Sequence, residues 1–342
     1  MFPLEFPLSY LKGAQPGDWV LDPFCGRGTT LYAARLRGLP ASGVDVSPVA
    51  AAMAAAQLST ASMGEVLQLL QELLKGKTSE VPAGDFWTLA YHPKTLESLV
   101  RLRGGLMGLE GDAASLLRLF LLGRLHGPIR KTPTYLSNQM PRTFAPKPNY
   151  AVRFWRERGL LPPQVDPVTV VKRVAERYLS NLPPKVRGKV EQGDARNYDF
   201  LTLGGPYRFV ITSPPYPGMR TYVPDQWLRN WFLGGSPTVS YYYQGQLGFE
   251  NPERYVQELR RAWLNVARAC HPGATLVVRL GSLPSRRDFD PREMISRSLE
   301  NTPWRLLDIR PAGTAEKGKR QAVQFGKARK AVVEYDGLAR LM

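Results

Sequence analysis

The sequence predicts an α/β fold built on a mostly parallel sheet, and three observations carry that expectation. Short apolar strands alternate with helical stretches, a glycine-containing turn leads from the first strand into a helix, and a leucine-rich then basic stretch interrupts the alternation mid-chain. With 342 residues, 43% hydrophobic and 22% charged, the chain has material for a large core, which excludes disorder as its main state. At roughly 100 to 200 residues per domain, this length suggests about two domains, or one α/β domain with an insertion. No run of about 18 apolar residues occurs, because Arg118 and Arg124 break the leucine stretch, so no membrane span is expected. The first ten residues carry Glu5 and no basic run, which argues against a secretory leader and for a cytoplasmic location.

The elements follow in order. Pro16-Gly17-Asp18 is a turn, 19–21 a buried strand, and 31–37 a helix that ends at Gly38. A second strand spans 41–45, after which Ser47-Pro48 supplies an N-cap and first helical residue for an alanine-rich helix to about Ala61. Residues 64–125 are mostly helical in pattern, with breaks at Gly76 and at Gly104-Gly105. Prolines at 128, 133, 141, 146 and 148 make 127–149 an extended surface loop, and a helix over 168–182 stops at Pro183-Pro184. Strands are predicted at 189–191, 208–212, 274–280, 305–309 and 331–335, with a long helix over 252–269. This divides the chain into a first core part, 1–62, an inserted helical and basic region, 63–188, and a second core part, 189–342.

Charge is concentrated. The formal net charge is +17, and 117–190 alone hold 15 Lys and Arg against 3 Asp and Glu. Such an excess favours a polyanionic partner, although a charge run by itself is also what a solvated face looks like. Tyr135, Asn138, Gln139, Phe144, Asn149, Tyr150, Phe154 and Trp155 are interleaved with the charge, a mixture suited to phosphate and base contacts together. Arg130, Lys131, Arg142, Lys147 and Arg153, with Arg220 further on, are the candidate nucleic-acid contacts. Two cysteines and three histidines lie in no metal-ligand spacing, so neither a zinc site nor a disulfide is expected.

Two motifs carry chemistry. In Asp22-Pro23-Phe24-Cys25-Gly26-Arg27-Gly28-Thr29-Thr30, Gly26 and Gly28 let a ligand approach the backbone, and Asp45 ends the second strand where a carboxylate binds ribose hydroxyls. The third glycine of the dinucleotide fingerprint and the Gly-Lys-Ser/Thr phosphate cradle are both absent, which favours an adenosine-type ligand without phosphates over NAD or ATP. The second motif, Thr212-Ser213-Pro214-Pro215-Tyr216, follows a strand at the same carboxyl edge. Its prolines make a rigid loop with free carbonyls, so Ser213 and Pro214 can accept hydrogen bonds from an amine while Tyr216 stacks on the ring that bears it. An ordinary Pro-Pro turn is the plain alternative. Cys25, inside the glycine turn, reads as structural. The aromatic segment 217–248 either lines a base pocket or forms a satellite apolar cluster.

As a pair, these motifs resemble the signatures of the DNA amino-methyltransferases, Asp-Pro-Phe-x-Gly-x-Gly-Thr-Thr and Ser/Asn/Asp-Pro-Pro-Tyr. The resemblance covers about 1–60 and 190–285. It implies a Rossmann-like class I methyltransferase fold, with a mostly parallel seven-stranded sheet and a largely helical basic insertion. It also implies S-adenosylmethionine as cofactor, held by Asp22, Pro23, Phe24, Cys25, Gly26, Gly28, Thr29, Thr30, Asp45 and Val46. Gly193-Asp194-Ala195 looks like the family motif whose aspartate contacts the adenine. Phe2-Pro3 or Phe6-Pro7 is similar to the segment that closes over the methionine end. Ser213, Pro214, Pro215 and Tyr216 take the catalytic positions. The Thr-Ser-Pro-Pro-Tyr form goes more often with N4 of cytosine than with N6 of adenine, so the implied substrate is a cytosine flipped out of double-stranded DNA. N6-adenine transfer, an RNA (tRNA) base methyltransferase and a non-catalytic DNA-binding protein on the same fold are the alternatives. The sequence has no convincing nuclease constellation, so a cognate restriction endonuclease would be a separate chain.

Overall fold

The computed structural model describes residues 2–128, 134–140, 147–217, 223–239, 247, 251–281, 289–314 and 333–342. Among them the strands form one sheet of seven: β1 (Trp19–Asp22), β2 (Ala41–Asp45), β3 (Val190–Gln192), β4 (Tyr207–Thr212), β5 (Cys270–Gly281), β6 (Trp304–Thr314) and β7 (Val333–Leu341). Their order is β3-β2-β1-β4-β5-β7-β6. The pairs from β3 through to β5 are parallel, and β7 runs antiparallel to both its neighbours. This order and these directions are those of the Rossmann-like class I methyltransferase fold.

The chain divides into two compact units. The first comprises Met1–Leu58, Pro184–Thr221 and Gln244–Met342, and holds the sheet with α1 (Glu5–Tyr10), α2 (Thr29–Leu36), α3 (Pro48–Leu58), and later α11 (Pro252–Ala267) and α12 (Pro291–Leu299). Its strands alternate by residue, as a sheet covered on both faces requires. Val20, Ile211 and Val277 pack with Phe6, Leu31 and Ala54 of α1–α3, while Leu21, Val210, Leu276 and Val278 pack with Tyr255, Leu259, Trp263 and Ile295 of α11 and α12. Arg35 is fully buried in this unit. Its Nε donates to the Pro184 carbonyl at 3.1 Å and its Nη1 to the Gln57 carbonyl at 2.8 Å, which joins the two points where the chain leaves and re-enters the unit.

The second unit comprises Ser59–Pro183 and Tyr222–Tyr243. It contains α4 (Met63–Leu74), α5 (Asp85–Ala90), α6 (Pro93–Leu106), α7 (Asp112–Leu122), α8 (Pro148–Glu157), α9 (Pro167–Leu179) and α10 (Trp227–Phe232). Phe86, Trp87, Trp155, Trp227 and Trp231 form its aromatic centre, with ring centroids 4.5 to 5.6 Å apart in successive pairs. Of the two readings of the aromatic segment, the satellite cluster is the one Trp227 and Trp231 take. Arg220, Tyr222 and Tyr241-Tyr242-Tyr243 lie outside the described residues.

Several expectations need correcting. The sequence division gives all of 189–342 to the core, whereas 222–243 clusters with the second unit. The predicted break at Gly104-Gly105 falls in the last turn of α6, which ends at Leu106, and Gly105 has a second role: a Cβ there would come 2.6 Å from Leu73 Cδ2, so the glycine allows α4 and α6 to approach. The stretch 134–140 is not a surface loop. Leu136, Ser137, Asn138 and Met140 are buried, and the Asn138 side chain donates to the Leu89 and Leu160 carbonyls, satisfying backbone that an irregular buried segment would leave bare. β5 begins four residues earlier than predicted, and β7 runs on to Leu341 instead of stopping at Tyr335. In the fold Asp336 is paired with Arg279, and a Cβ at Gly337 would meet Ile295 Cγ2 at 2.4 Å.

Candidate functional site

The glycine turn connects β1 to α2 beneath the carboxyl edge of the sheet. Gly26 and Gly28 have φ of +52° and +83°, the left-handed region that glycine enters without a Cβ penalty. Their surroundings differ. A Cβ at Gly28 would lie 2.8 Å from Gln57 Cγ and 3.0 Å from Ala54 Cα on α3, so Gly28 serves helix packing. At Gly26 nothing lies within 4 Å, and the bare backbone borders open space. Cys25 is buried, its N–H donates to the Val44 carbonyl at 3.0 Å, and burial pushes its thiol up, as suits a structural cysteine. The Thr30 hydroxyl donates to the Ile211 carbonyl, and Thr29 opens α2. Phe24 meets Trp263 edge-on at 6.1 Å.

Asp45, at the end of β2, is fixed to this turn. Its Oδ2 accepts the Gly26 N–H and its Oδ1 the Ser47 N–H, both at 2.9 Å, and burial raises its pKa. The Asp45 carbonyl accepts the Gly193 N–H at 3.0 Å, and Gln192 Nε2 donates to the Val46 carbonyl, which brings Asp194 and Ala195 to the same edge. Asp194 itself is held by Arg196, whose Nε donates to both carboxylate oxygens at 2.9 and 3.0 Å and lowers its pKa against burial. The guanidinium reaches on to Glu258 at 3.2 Å.

The second motif meets the first directly. The Thr212 hydroxyl donates to Asp22 Oδ1 at 2.6 Å, and the Phe24 N–H reaches the same oxygen at 3.2 Å. Asp22 is fully buried and its Oδ2 has no partner. Burial pushes its carboxyl up to about 6, against the pull of the Thr212 hydrogen bond. Beyond Thr212, Ser213 is half-buried and Pro214 buried, and the Pro215 carbonyl accepts the Tyr255 hydroxyl at 2.9 Å. The Tyr216 hydroxyl donates to Glu334 Oε1 at 3.0 Å, and its ring packs on the α11 side of the core. Burial and the Glu334 charge raise the Tyr216 pKa. Tyr216 is thus anchored at its hydroxyl while its partly buried ring packs against the core.

Sequence reasoning passed over a charged cluster at this edge. Arg279 of β5 and Asp336 of β7 form two bonds of 2.7 Å with both side chains buried. The Arg279 guanidinium lies 3.8 Å from the Phe6 ring centroid, and Tyr10 donates to Asp336 Oδ2 at 3.2 Å. Burial, then Asp336, raises Tyr10 to about 12. Phe6 and Pro7 are both buried, with the Phe6 ring inside this clamp. The one signal in the sequence is an arginine within the apolar run 274–280.

In the second unit, Lys147 precedes α8 and Arg153 projects from it, 69% exposed and 5.8 Å from the Tyr150 ring centroid. Trp155 faces inward and donates to the Gln139 carbonyl at 2.6 Å, so it belongs to the core rather than to a base-contacting surface. Arg130, Lys131, Arg142 and Arg220 lie outside the described residues. Among the described residues no group of His, Cys, Asp and Glu could hold a metal ion, and no helix is long and apolar enough to cross a membrane.

No protein-family model and no curated protein matches the chain. Among solved structures, a SAM-dependent methyltransferase from Methanosarcina mazei matches at 10% identity and a TM-score of 0.39, over 100% of this chain and 98% of that one. The rRNA methyltransferase aviRa from Streptomyces viridochromogenes matches at 14% identity and a TM-score of 0.38, over 99% and 85%. Geranyl diphosphate methyltransferase in complex with SAM matches at 11% identity and a TM-score of 0.38, over 99% and 84%.

Proposed function

We propose that this chain is an S-adenosylmethionine-dependent methyltransferase acting on the exocyclic amine of a base flipped out of duplex DNA, with N4 of cytosine as the favoured target. The observation that carries the reading is the junction of the two motifs: the Asp22–Thr212 bond places the glycine turn and Ser213-Pro214-Pro215-Tyr216 side by side. The residues fit the cofactor. Open space over Gly26 receives the nucleoside, the oxygens of Asp45 retain lone pairs for ribose hydroxyls, and the orphaned Asp22 Oδ2 suits the ammonium of the methionine end. When bound, that group supplies an electrophilic sulfonium methyl.

The chain's own residues do the rest. A conjugated amine is a poor nucleophile because its lone pair is delocalised into the ring. Ser213 Oγ and the Pro214 carbonyl accept its two protons, which favours a tetrahedral nitrogen with its lone pair aimed at the methyl carbon. Bound S-adenosylmethionine would supply the methyl group, and the proton that the amine nitrogen held by Ser213 and Pro214 then sheds would pass to solvent. Positioning and electrostatics supply the rate. The basic excess of 117–190 supports a phosphate backbone as the partner.

Incubation with labelled S-adenosylmethionine and separate pools of duplex DNA and RNA, followed by nucleoside mass spectrometry, tests this reading. Label as N4-methylcytosine in DNA is the expected result. N6-methyladenine would overturn the base assignment, label in RNA alone would overturn the DNA assignment, and no transfer to either would overturn the activity.

A further inference from the structure

The loop after β3 is fixed in its backbone. The Gly193 N–H donates to the Asp45 carbonyl at 3.0 Å, and Asn265 Nδ2 of α11 donates to the carbonyls of Ala195 and Tyr198 at 3.1 and 2.7 Å. Within that frame Arg196 covers the Asp194 carboxylate. Its backbone N–H and Nε reach Oδ1 at 3.0 and 2.9 Å, while Nε and Nη2 reach Oδ2 at 3.0 and 2.5 Å. A carboxylate offers about four lone-pair sites, so these contacts leave Asp194 none with which to accept from a ligand. The remaining guanidinium nitrogen, Nη1, lies 3.2 Å from the buried Glu258 of α11, which Arg254 also meets at 3.1 Å.

The carboxyl ends of β1, β2 and β3 lie side by side. With the methionine end at Asp22 of β1 and the ribose at Asp45 of β2, the base leaves the ribose on the far side from the methionine chain and comes next to the loop after β3. Its exocyclic amine needs an acceptor there, and the carboxylate in place is taken. We propose that Arg196 is a resident occupant of Asp194, and that cofactor binding moves its guanidinium from Asp194 onto Glu258. This rests on the methyltransferase reading. The pinned backbone confines the change to one side chain. Glu258 keeps the displaced charge paired, as a guanidinium only 18% exposed requires.

Calorimetric titration with S-adenosylhomocysteine, the thioether product, tests this without turnover, with melting curves as the folding control. Glu258→Gln removes the second seat and should weaken affinity by about ten- to a hundred-fold, the weight of one charge-assisted hydrogen bond. Arg196→Met removes the occupant and should tighten affinity by about ten-fold or more, which a merely structural arginine would not do. The double variant should match Arg196→Met alone, because Glu258 acts through Arg196. Unchanged affinity in Glu258→Gln, or unchanged or weaker binding in Arg196→Met, would overturn the proposal and leave the ion pair a clasp on the loop.

A second readout needs no variant and so survives a failure of either to fold. The Arg196 Nε–H resonance of the wild type should move upfield on saturation with S-adenosylhomocysteine, as Nε loses its carboxylate. A bound ligand with that resonance in place overturns the proposal while the methyltransferase reading stands. A wild type that binds neither S-adenosylmethionine nor S-adenosylhomocysteine overturns both.

Discussion

Thr212 and Asp22 stand 190 residues apart and share a buried 2.6 Å hydrogen bond that ties the end of β4 to the end of β1. Everything else at the edge is arranged around that contact: the glycine turn and Asp45 on one side, Ser213 to Tyr216 on the other.

The contact carries a pH signature. With the Asp22 carboxyl at about 6 when folded, against about 3.9 for an ordinary aspartate, the folded chain keeps a proton that the unfolded chain has already released. Stability therefore falls as pH rises between about 4 and 6, by up to about 3 kcal/mol. Asp22→Asn keeps an acceptor for Thr212 and has no proton to lose, so this part of the slope should vanish in denaturant melts from pH 4 to 8. Calorimetric titration with S-adenosylmethionine should show affinity rising through pH 6 in the wild type, as the ligand ammonium favours the ionised form, and a flat profile in the variant.

The two glycines of the turn should separate under substitution. Gly28→Ala meets both a left-handed backbone and α3, and should cost about 2–4 kcal/mol of stability. Gly26→Ala meets only the backbone strain, about 1–2 kcal/mol, but places a methyl in the open space over the loop. Thermal melting should rank Gly28→Ala as the less stable, while cofactor titration should show Gly26→Ala as folded with weakened binding.

Breaking the buried ion pair should be costly. Asp336→Asn leaves the Arg279 guanidinium poorly compensated in a buried setting and should destabilise the fold by about 3–5 kcal/mol. Equilibrium unfolding in urea measures this, and a decrease below about 1 kcal/mol, the scale of exposed pairs, would show that water reaches the site.

Neutralising Lys147 and Arg153 should weaken duplex DNA binding without changing cofactor affinity. The log–log salt dependence should flatten by roughly one unit for each DNA phosphate that the variant no longer neutralises. An unchanged slope would move the DNA surface elsewhere.

What the sequence made legible was local. The strands 19–21, 41–45 and 208–212, the glycine turn and the Pro-Pro loop each announce themselves within a few residues, because strand periodicity and turn chemistry act over that range. Long-range compensation was not legible. The end of α6 beside Gly104-Gly105 is readable, but not that Gly105 makes room for Leu73, and the strand predicted to stop at Tyr335 gives no sign that it continues through Asp336, which pairs with Arg279. Asn138 looks like a surface residue until the carbonyls of Leu89 and Leu160 are found at its amide. Glu334 was missed for the same reason, since no local pattern near 334 points to a tyrosine 118 positions earlier.

Arg35 has a different kind of consequence. By holding the carbonyls of Gln57 and Pro184 on one buried guanidinium, it fixes the two stems of the long excursion at a short separation. The entropy of closing so long a loop grows only slowly with its length. Residues 59–183 therefore leave and re-enter the first unit at one pinned point, but they are not a self-sufficient piece: Trp227 and Trp231, from the later stretch 222–243, complete their aromatic centre, so any exchange of 59–183 has to keep partners for those two rings.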